Sequence, residues 1–227
     1  MRKLIVIMLV LATIFMIGCQ NGDEKKDKPT ATPVSSTPTP EPDPTEEPTP
    51  VVTPEPTEGP KGVNVALDKP YEVSSFTINE RRGWNPEFIN DGEIECIDGY
   101  HYGWTSQVGK YIGVDPSEAQ EWVIIDLEKE YTIGTVIAWP RQDTGLYFPT
   151  DYQIDVSNDK ENWTTVYEKK GDEGSAENDL SPRIIKLEDV KGRFVRFMGT
   201  LLRDDDQTHN DGLLMQLAEL EIYSEDN

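Results

Sequence analysis

Short apolar runs separated by turn signals dominate residues 61–227. Apolar and polar residues alternate within several runs, as in Asp151–Val156, and a period of two buries one face of a β-strand. No long stretch combines a helical period with helix caps. The pattern predicts an all-β fold, an antiparallel sandwich or jelly roll. The main apolar runs are Trp122–Ile125, Ile133–Trp139, Tyr152–Val156, Trp163–Tyr167, Ile184–Ile185, Phe194–Met198 and Leu217–Tyr223.

The N-terminus has a different pattern, in which a basic pair precedes the apolar run Leu4–Ile17 and Cys19 follows after one glycine. This is typical of a secretion signal, and the run is short for a hydrocarbon core of about 30 Å. Met16–Cys19 resembles the bacterial lipobox, in which the cysteine thiol is lipidated and becomes the mature N-terminus. We expect a lipoprotein signal peptide at residues 1–18 and a secreted protein that is lipid-anchored at the bacterial cell surface. An ordinary signal peptide is the alternative.

Residues 19–60 form a segment rich in Thr, Pro, Glu and Asp that contains Thr-Pro repeats. Such a segment cannot bury enough apolar surface to fold, so we expect a disordered, extended spacer. At about 3.1 Å per residue it would reach on the order of 120 Å. The spacer would hold a single domain, residues 61–227, away from the membrane.

The composition is strongly acidic, with 21 Lys and Arg against 43 Asp and Glu and a formal net charge of −22. Nucleic acid and anionic lipid headgroups both need clustered cations, so we expect no nucleic-acid partner and membrane contact only through the N-terminal lipid. The sequence has two histidines and lacks the Gly-x-Ser-x-Gly, His-Glu-x-x-His and phosphate-loop motifs. A glycosidase carboxylate pair would need a cleft, usually within a larger domain. We therefore expect a binding domain and no enzyme.

Seven short motifs follow one another through the domain. They are Asn64–Ala66, Asn90–Gly92, Gly103–Thr105, Glu121–Leu127, Asn162–Val166, Gly192–Phe197 and Leu217–Tyr223. In this order they resemble the coagulation factor 5/8 type C, or discoidin, domain over residues 62–224. Trp139–Asp143 is similar to the bacterial family 32 carbohydrate-binding modules. The resemblance implies an eight-stranded antiparallel jelly-roll β-sandwich of the galactose-binding-like type, with the ligand taken by loops at one end.

The resemblance also implies a structural calcium ion at the turn Asn90–Gly92. Carried over to this chain, its ligands are the side chains of Asp91 and Glu219 and the backbone carbonyls of Phe88, Glu93 and Ala218. Oxygen ligands of this kind suit a hard cation. The alternative for Glu219 is a solvated carboxylate on an edge strand. Residues 93–102 are longer than the family's usual loop, so the next ligand is not placed.

The resemblance makes Arg141 the sugar-contacting arginine and Asn210 the corresponding amide. A guanidinium donates several fixed hydrogen bonds to vicinal hydroxyls, and an aromatic ring covers the apolar face of a pyranose. The alternatives are an ion pair with Asp143 for Arg141 and a plain turn position for Asn210. The other candidate ligand-binding residues are Tyr147, Phe148, Trp104 and His101, and Trp104 is open to interpretation as core.

The sugar itself stays open. Galactose-binding members of the family often have a histidine after the Gly-Trp motif, where this chain has Thr105. We expect a non-catalytic, cell-surface glycan-binding lipoprotein whose glycan is of galactose type or belongs to host mucin. One alternative is an adhesin for a protein or lipid surface with Leu146–Phe148 as its spike, and another is a structural cell-envelope component. Asp204–Asp206, with His209 and Asp211, is interpreted as a solvated acidic loop rather than a second metal site.

Overall fold

The computed structural model describes residues 59–96, 100–205 and 210–226. The predicted signal peptide, Cys19 and the spacer up to residue 58 lie outside these residues, as do Asp206 and His209. The strands are β1 (Val63–Asn64), β2 (Tyr71–Val73), β3 (Trp104–Thr105), β4 (Glu121–Trp139), β5 (Asp151–Ser157), β6 (Thr164–Lys169), β7 (Arg183–Leu201), β8 (Gln216–Leu217) and β9 (Glu219–Ser224). One short helix, α1 (Glu173–Ala176), and two 3₁₀ turns, Pro86–Ile89 and Pro116–Glu118, complete the regular structure of these ranges.

The architecture is the predicted antiparallel β-sandwich. The main sheet has the strand order β1-β9-β4-β7-β5-β6, and β2 pairs with the first half of β4. The first half of β4 pairs with the second half of β7, while its second half pairs with β9 and with the first half of β7. Register shifts after Asp126 and after Ile133 mark the passage between the two halves. The two long strands therefore run through both layers of the sandwich.

The strand count differs from the expected eight, because nine strands occur in the described ranges. Two of them, β3 and β8, pair only with each other, through Trp104↔Leu217 and Thr105↔Gln216. This two-residue ladder is too short to be recognised from apolar periodicity. None of the described helices is long and apolar enough to cross a membrane.

The core lies between the two layers. In β5 the side chains of Tyr152, Ile154 and Val156 are buried, as the alternating pattern predicts. They pack with residues of β4, β7 and β9 such as Ile125, Phe197 and Leu220, which are all fully buried. Burial of this apolar surface is the main force that stabilises the fold.

Loops meet at one end of the sandwich. The backbone N–H of Thr77 donates to Thr105, that of Gly109 donates to Asp211, and that of Gln216 donates to Tyr147, with N–O distances of 3.2, 2.8 and 3.1 Å. Because Thr105 of β3 pairs with Gln216 of β8, these hydrogen bonds bring together four loops from distant parts of the sequence. A rigid frame with converging loops is a common position for a binding site.

Candidate functional site

Arg141 lies just beyond β4 in this group of loops. Its Nε and Nη2 donate to the two carboxylate oxygens of Asp143, both at 2.6 Å, and its Nη1 donates to Gln216 Oε1 at 2.8 Å. The ion pair that the sequence left as an alternative is therefore present. The side chain of Arg141 is 14% exposed and that of Asp143 26% exposed, so both partners reach the surface.

Two aromatic rings lie against the guanidinium of Arg141. The carbon Cζ of Arg141 is 5.1 Å from the ring centroid of Trp84 and 5.3 Å from that of Tyr102. The two rings stack on each other with centroids 5.3 Å apart. Trp84 is buried, whereas Tyr102 is partly exposed. A hydrogen bond with the Cys96 thiol, and after it burial, raises the pKa of Tyr102.

Gln216 connects these side chains to the core. Together with Arg141, Asp143, Trp84 and Tyr102 it forms the Arg141 cluster. Its side-chain Nε2 donates to Thr105 Oγ1 at 3.1 Å, while its Oε1 accepts from Arg141. Thr105 is almost fully buried, at 2% exposure. Thr105, the residue that follows the Gly-Trp motif, therefore helps to position Arg141 through Gln216.

Three of the predicted ligand contacts are corrected by burial. Phe148 and Trp104 are 0% exposed and Tyr147 is 5% exposed, so Phe148 and Trp104 cannot contact a ligand and Tyr147 offers little surface to one. Phe148 packs in the hydrophobic core, and the indole N–H of Trp104 donates to the Ser75 carbonyl at 3.0 Å. The proposed spike Leu146–Phe148 is accordingly wrong, because two of its three residues are buried.

Asn210 is exposed, as a contact residue must be. It precedes Asp211, whose carboxylate accepts from the Tyr147 hydroxyl at 3.4 Å. Tyr147 belongs to the loop that begins at Arg141, so the structure brings the Asn210 loop against the Arg141 loop. Asp205 strengthens this contact, because its carboxylate pairs with Arg203 at 2.7 Å and accepts from the Tyr147 N–H at 2.5 Å.

His101 belongs to a second cluster, which it forms with Asp91 and Phe88. Its Nε2 is 2.7 Å from Asp91 Oδ2, and its ring centroid is 4.2 Å from that of Phe88. Tyr102, the next residue, belongs to the Arg141 cluster. The long loop before Gly103 thus contributes one side chain to each cluster, and His101 is engaged with the carboxylate of Asp91 instead of facing Arg141.

Asp91 and Glu219 are brought together as predicted. The backbone N–H of Gly92, at φ 86°, donates to Glu219 Oε1 and that of Glu93 donates to Asp91 Oδ1, both with N–O distances of 3.0 Å. Glu219 is 0% exposed and lies on β9, between β1 and β4, so the solvated edge-strand alternative is wrong. Burial raises the pKa of Glu219 to about 9, and the charges of Asp91 and Glu221 add to this.

Comparison with known proteins identifies the fold. The sequence profile of the F5/8 type C domain matches residues 97–215. The chain belongs to the F5/8 type C domain family. The matched range contains β3 to β7, three residues of the Arg141 cluster (Tyr102, Arg141 and Asp143) and His101 of the second cluster.

Solved structures similar to this F5/8 type C domain include three family 32 carbohydrate-binding modules from Clostridium perfringens. CpGH89CBM32-5, in complex with GalNAc-β-1,3-galactose, is 19% identical over 69% of this chain and 96% of its own, with a TM-score of 0.52. CBM32-3 from a family 31 glycoside hydrolase is 22% identical over 71% and 94%, with a TM-score of 0.52. The NanJ module, in complex with galactose, is 16% identical over 69% and 94%, with a TM-score of 0.50. At these sequence identities the structural similarity shows a shared fold and nothing more.

The residues of this F5/8 type C domain fit a cation beside Glu219. Glu219 Oε2 is buried and has no hydrogen-bond partner within the described residues, and an unpaired buried carboxylate oxygen is costly. A cation there would offset the desolvation of the carboxylate. No group of three or more His, Cys, Asp or Glu suited to a metal occurs in the described ranges. Backbone carbonyls would have to complete the coordination, and Phe88, Glu93 and Ala218 stay the predicted donors.

Sequence reasoning missed two members of the Arg141 cluster. Tyr102 stands in the aromatic stretch Tyr100–Tyr102 of the long loop, and that local enrichment was the available signal. Gln216 gave no signal, because its role depends on the pairing of β8 with β3. The structure also places Trp84 beneath Arg141.

Proposed function

We propose that this domain binds a glycan, without catalysis, at the surface formed by Arg141, Asp143 and Tyr102. The observation that carries the proposal is the bidentate Arg141–Asp143 pair resting on stacked aromatic rings. Such a pair offers both hydrogen-bond donors and acceptors to vicinal hydroxyls. Three of the five guanidinium N–H groups are engaged by Asp143 and Gln216, which leaves two for a ligand. The partly exposed ring of Tyr102 would cover the apolar face of a pyranose.

The similar solved structures support a saccharide ligand. Two of them are complexes, with galactose and with GalNAc-β-1,3-galactose. Asn210 would supply an amide from the neighbouring loop. An open site of this kind buries little area, so we expect weak binding to a single site. Many copies at a surface would increase the apparent affinity through multivalency.

Calcium and lipid anchoring are parts of the same proposal. Asp91 and Glu219 would hold a structural calcium ion that fixes the turn at Gly92. Cys19 would carry the lipid, and residues 20–60 would act as the spacer between the membrane and the domain. The protein would then present its glycan site at the bacterial cell surface, with host mucin as a candidate target.

The Arg141→Ala variant tests the glycan site. We expect at least about tenfold weaker binding to every glycan that the wild-type chain recognises on an array, because hydrogen bonds to a charged group contribute about 1.5 to 3 kcal/mol each. Arg193→Ala is the matched control, since Arg193 forms a similar bidentate pair with Asp126, at 2.7 and 2.8 Å, outside the proposed site. Unchanged binding by Arg141→Ala, or a folded wild-type chain that binds no glycan, would contradict the proposal.

Adhesion to a protein surface is a second candidate, favoured by exposed apolar residues on two of the loops. Phe76, Ile78, Val108 and Ile112 are 50%, 55%, 41% and 55% exposed. Their loops are joined, because the N–H of Val108 donates to Thr77 Oγ1 at 3.0 Å. Competition by a free monosaccharide at millimolar concentration distinguishes the candidates: it would abolish binding to cells or mucin in the glycan case and leave it unchanged in the protein case.

A further inference from the structure

The arginines of the domain fall into two groups. Residues 61–227 contain seven arginines. Five of these pair with an aspartate, and they are Arg141, Arg183, Arg193, Arg196 and Arg203. The guanidinium groups of Arg81 and Arg82 are exposed and have neither an ion pair nor a hydrogen bond with any residue that the structure describes. The domain has 16 Lys and Arg against 34 Asp and Glu, so two adjacent cations without a carboxylate partner among the described residues are unexpected.

A tight hairpin holds Arg81 and Arg82. The N–H of Asn79 donates to Trp84 at 3.0 Å and the N–H of Trp84 donates back at 3.2 Å. Gly83, at φ 59°, lies so close to His101 that a Cβ atom at this position would be 1.9 Å from the backbone nitrogen of His101. The hairpin is therefore fixed against the long loop that carries Tyr102.

The hairpin also adjoins the proposed glycan site. Trp84, its last residue, lies beneath Arg141 and stacks on Tyr102. Arg82 is two residues from Trp84, at most about 7 Å along the chain. Arg81 is three residues from Trp84, at most about 11 Å, so the backbone of both arginines lies near the surface at which Arg141 and Asp143 would meet a sugar.

The acidic net charge of the domain does not cancel this local positive charge. At physiological ionic strength exposed charges are screened beyond a Debye length of about 8 Å. Within the hairpin itself, residues 79–84, Glu80 contributes one negative charge against the two arginines. A ligand group at this position would therefore meet a positive local field.

We propose that the glycan is acidic, and that its carboxylate or sulfate group pairs with Arg81 and Arg82 while its neutral ring binds at Arg141, Asp143 and Tyr102. This inference rests on the proposed glycan-binding function. Guanidinium groups match the oxygens of carboxylate and sulfate with two parallel hydrogen bonds. The pair of arginines would thus add charge recognition to a site that otherwise recognises hydroxyl groups.

The test compares matched glycans that are neutral, carboxylated or sulfated, printed on one array and probed with the full chain. We expect at least about tenfold tighter binding to an acidic form than to its neutral parent, as charge-assisted hydrogen bonds predict. Arg81→Gln/Arg82→Gln should lose this preference, keep binding of the neutral parent and keep its melting temperature. Preference for carboxylated or for sulfated members identifies the acidic group.

A matched control removes the same charge elsewhere. Lys129 and Lys191 are exposed and lie near Thr132, in the middle of β4 and roughly 23 Å along the strand from Trp139, the strand end that precedes Arg141. Lys129→Gln/Lys191→Gln should keep the preference for acidic glycans. Loss of the preference in this control would overturn the inference, because the effect would then come from net charge.

Three other results of these experiments can be distinguished from one another. Equal binding of neutral and acidic forms by the wild-type chain overturns this inference and leaves the proposed function standing. A folded chain that binds no glycan overturns both. Binding to vesicles of phosphatidylcholine and phosphatidylglycerol that depends on Arg81 and Arg82, without any preference for acidic glycans, assigns the arginines to a lipid surface and overturns the inference.

Discussion

Replacing Phe148 with alanine is expected to lower the free energy of unfolding by about 3 to 5 kcal/mol, the usual cost of removing a buried aromatic ring. The ring is 0% exposed and its centroid lies 5.5 Å from that of Tyr152 and 5.9 Å from that of Phe197, both edge-on. The guanidinium of Arg183 covers it at 4.8 Å. The cavity left by alanine would remove all of these contacts.

Denaturant unfolding measures this effect, with Phe76→Ala as the matched control. Phe76 is 50% exposed, so its removal should change the free energy of unfolding by less than about 1 kcal/mol. A folded Phe148→Ala protein with wild-type stability and weakened glycan binding would contradict the core assignment. That result would assign the Phe148 ring to the ligand site.

The position of Phe148 could not be predicted from its local sequence. An apolar pair at 147–148 in a loop is compatible with an exposed spike or with a buried anchor. Two distant segments decide the matter: the Ser175 hydroxyl donates to the Phe148 carbonyl at 2.5 Å, and Asp205 accepts from the Tyr147 N–H. Burial here depends on tertiary contacts that no short window of sequence contains.

The strands show the same limit. The sequence predicted the location of the longer strands, and in β5 the apolar residues of the alternating pattern are buried. It treated Trp122–Ile125 and Ile133–Trp139 as separate runs, whereas they are the two halves of β4. The interruption at Glu128–Glu130 is exposed, and Glu128 has φ 67°. A polar break in the apolar pattern can be a bend where one strand changes layers, and periodicity alone does not distinguish a bend from a loop.

The positions of Asp91 and Glu219 were predicted more completely than those of Tyr147 and Phe148. The turn at Asn90–Gly92 and the partnership of Asp91 with Glu219 followed from the family resemblance, and the structure brings these residues together. The contact of His101 with Asp91 did not follow, because the loop that carries His101 is longer than the family's usual loop. Inserted residues have no counterpart from which a position can be inferred.

Addition of calcium is expected to raise the melting temperature of the chain by roughly 5 to 10 °C at a concentration about 100 times its Kd. Such binding contributes about 2.7 kcal/mol, and one kcal/mol shifts a domain of this size by about 2 to 4 °C. The physical reason is that the ion would pair with the buried, unpartnered oxygen of Glu219 and with Asp91. EDTA should reverse the shift, and differential scanning calorimetry measures it.

Glu219→Gln distinguishes this ion from calcium bound elsewhere. The amide has no charge to desolvate, so without calcium the variant should be at least as stable as the wild-type chain, and calcium should no longer stabilise it. Glu225→Gln is the control, because Glu225 is exposed and should leave the calcium response intact. A calcium shift of equal size in Glu219→Gln would place the ion away from Glu219. Absence of any shift in the wild-type chain would leave Glu219 as a buried carboxyl group that is protonated rather than metal-bound.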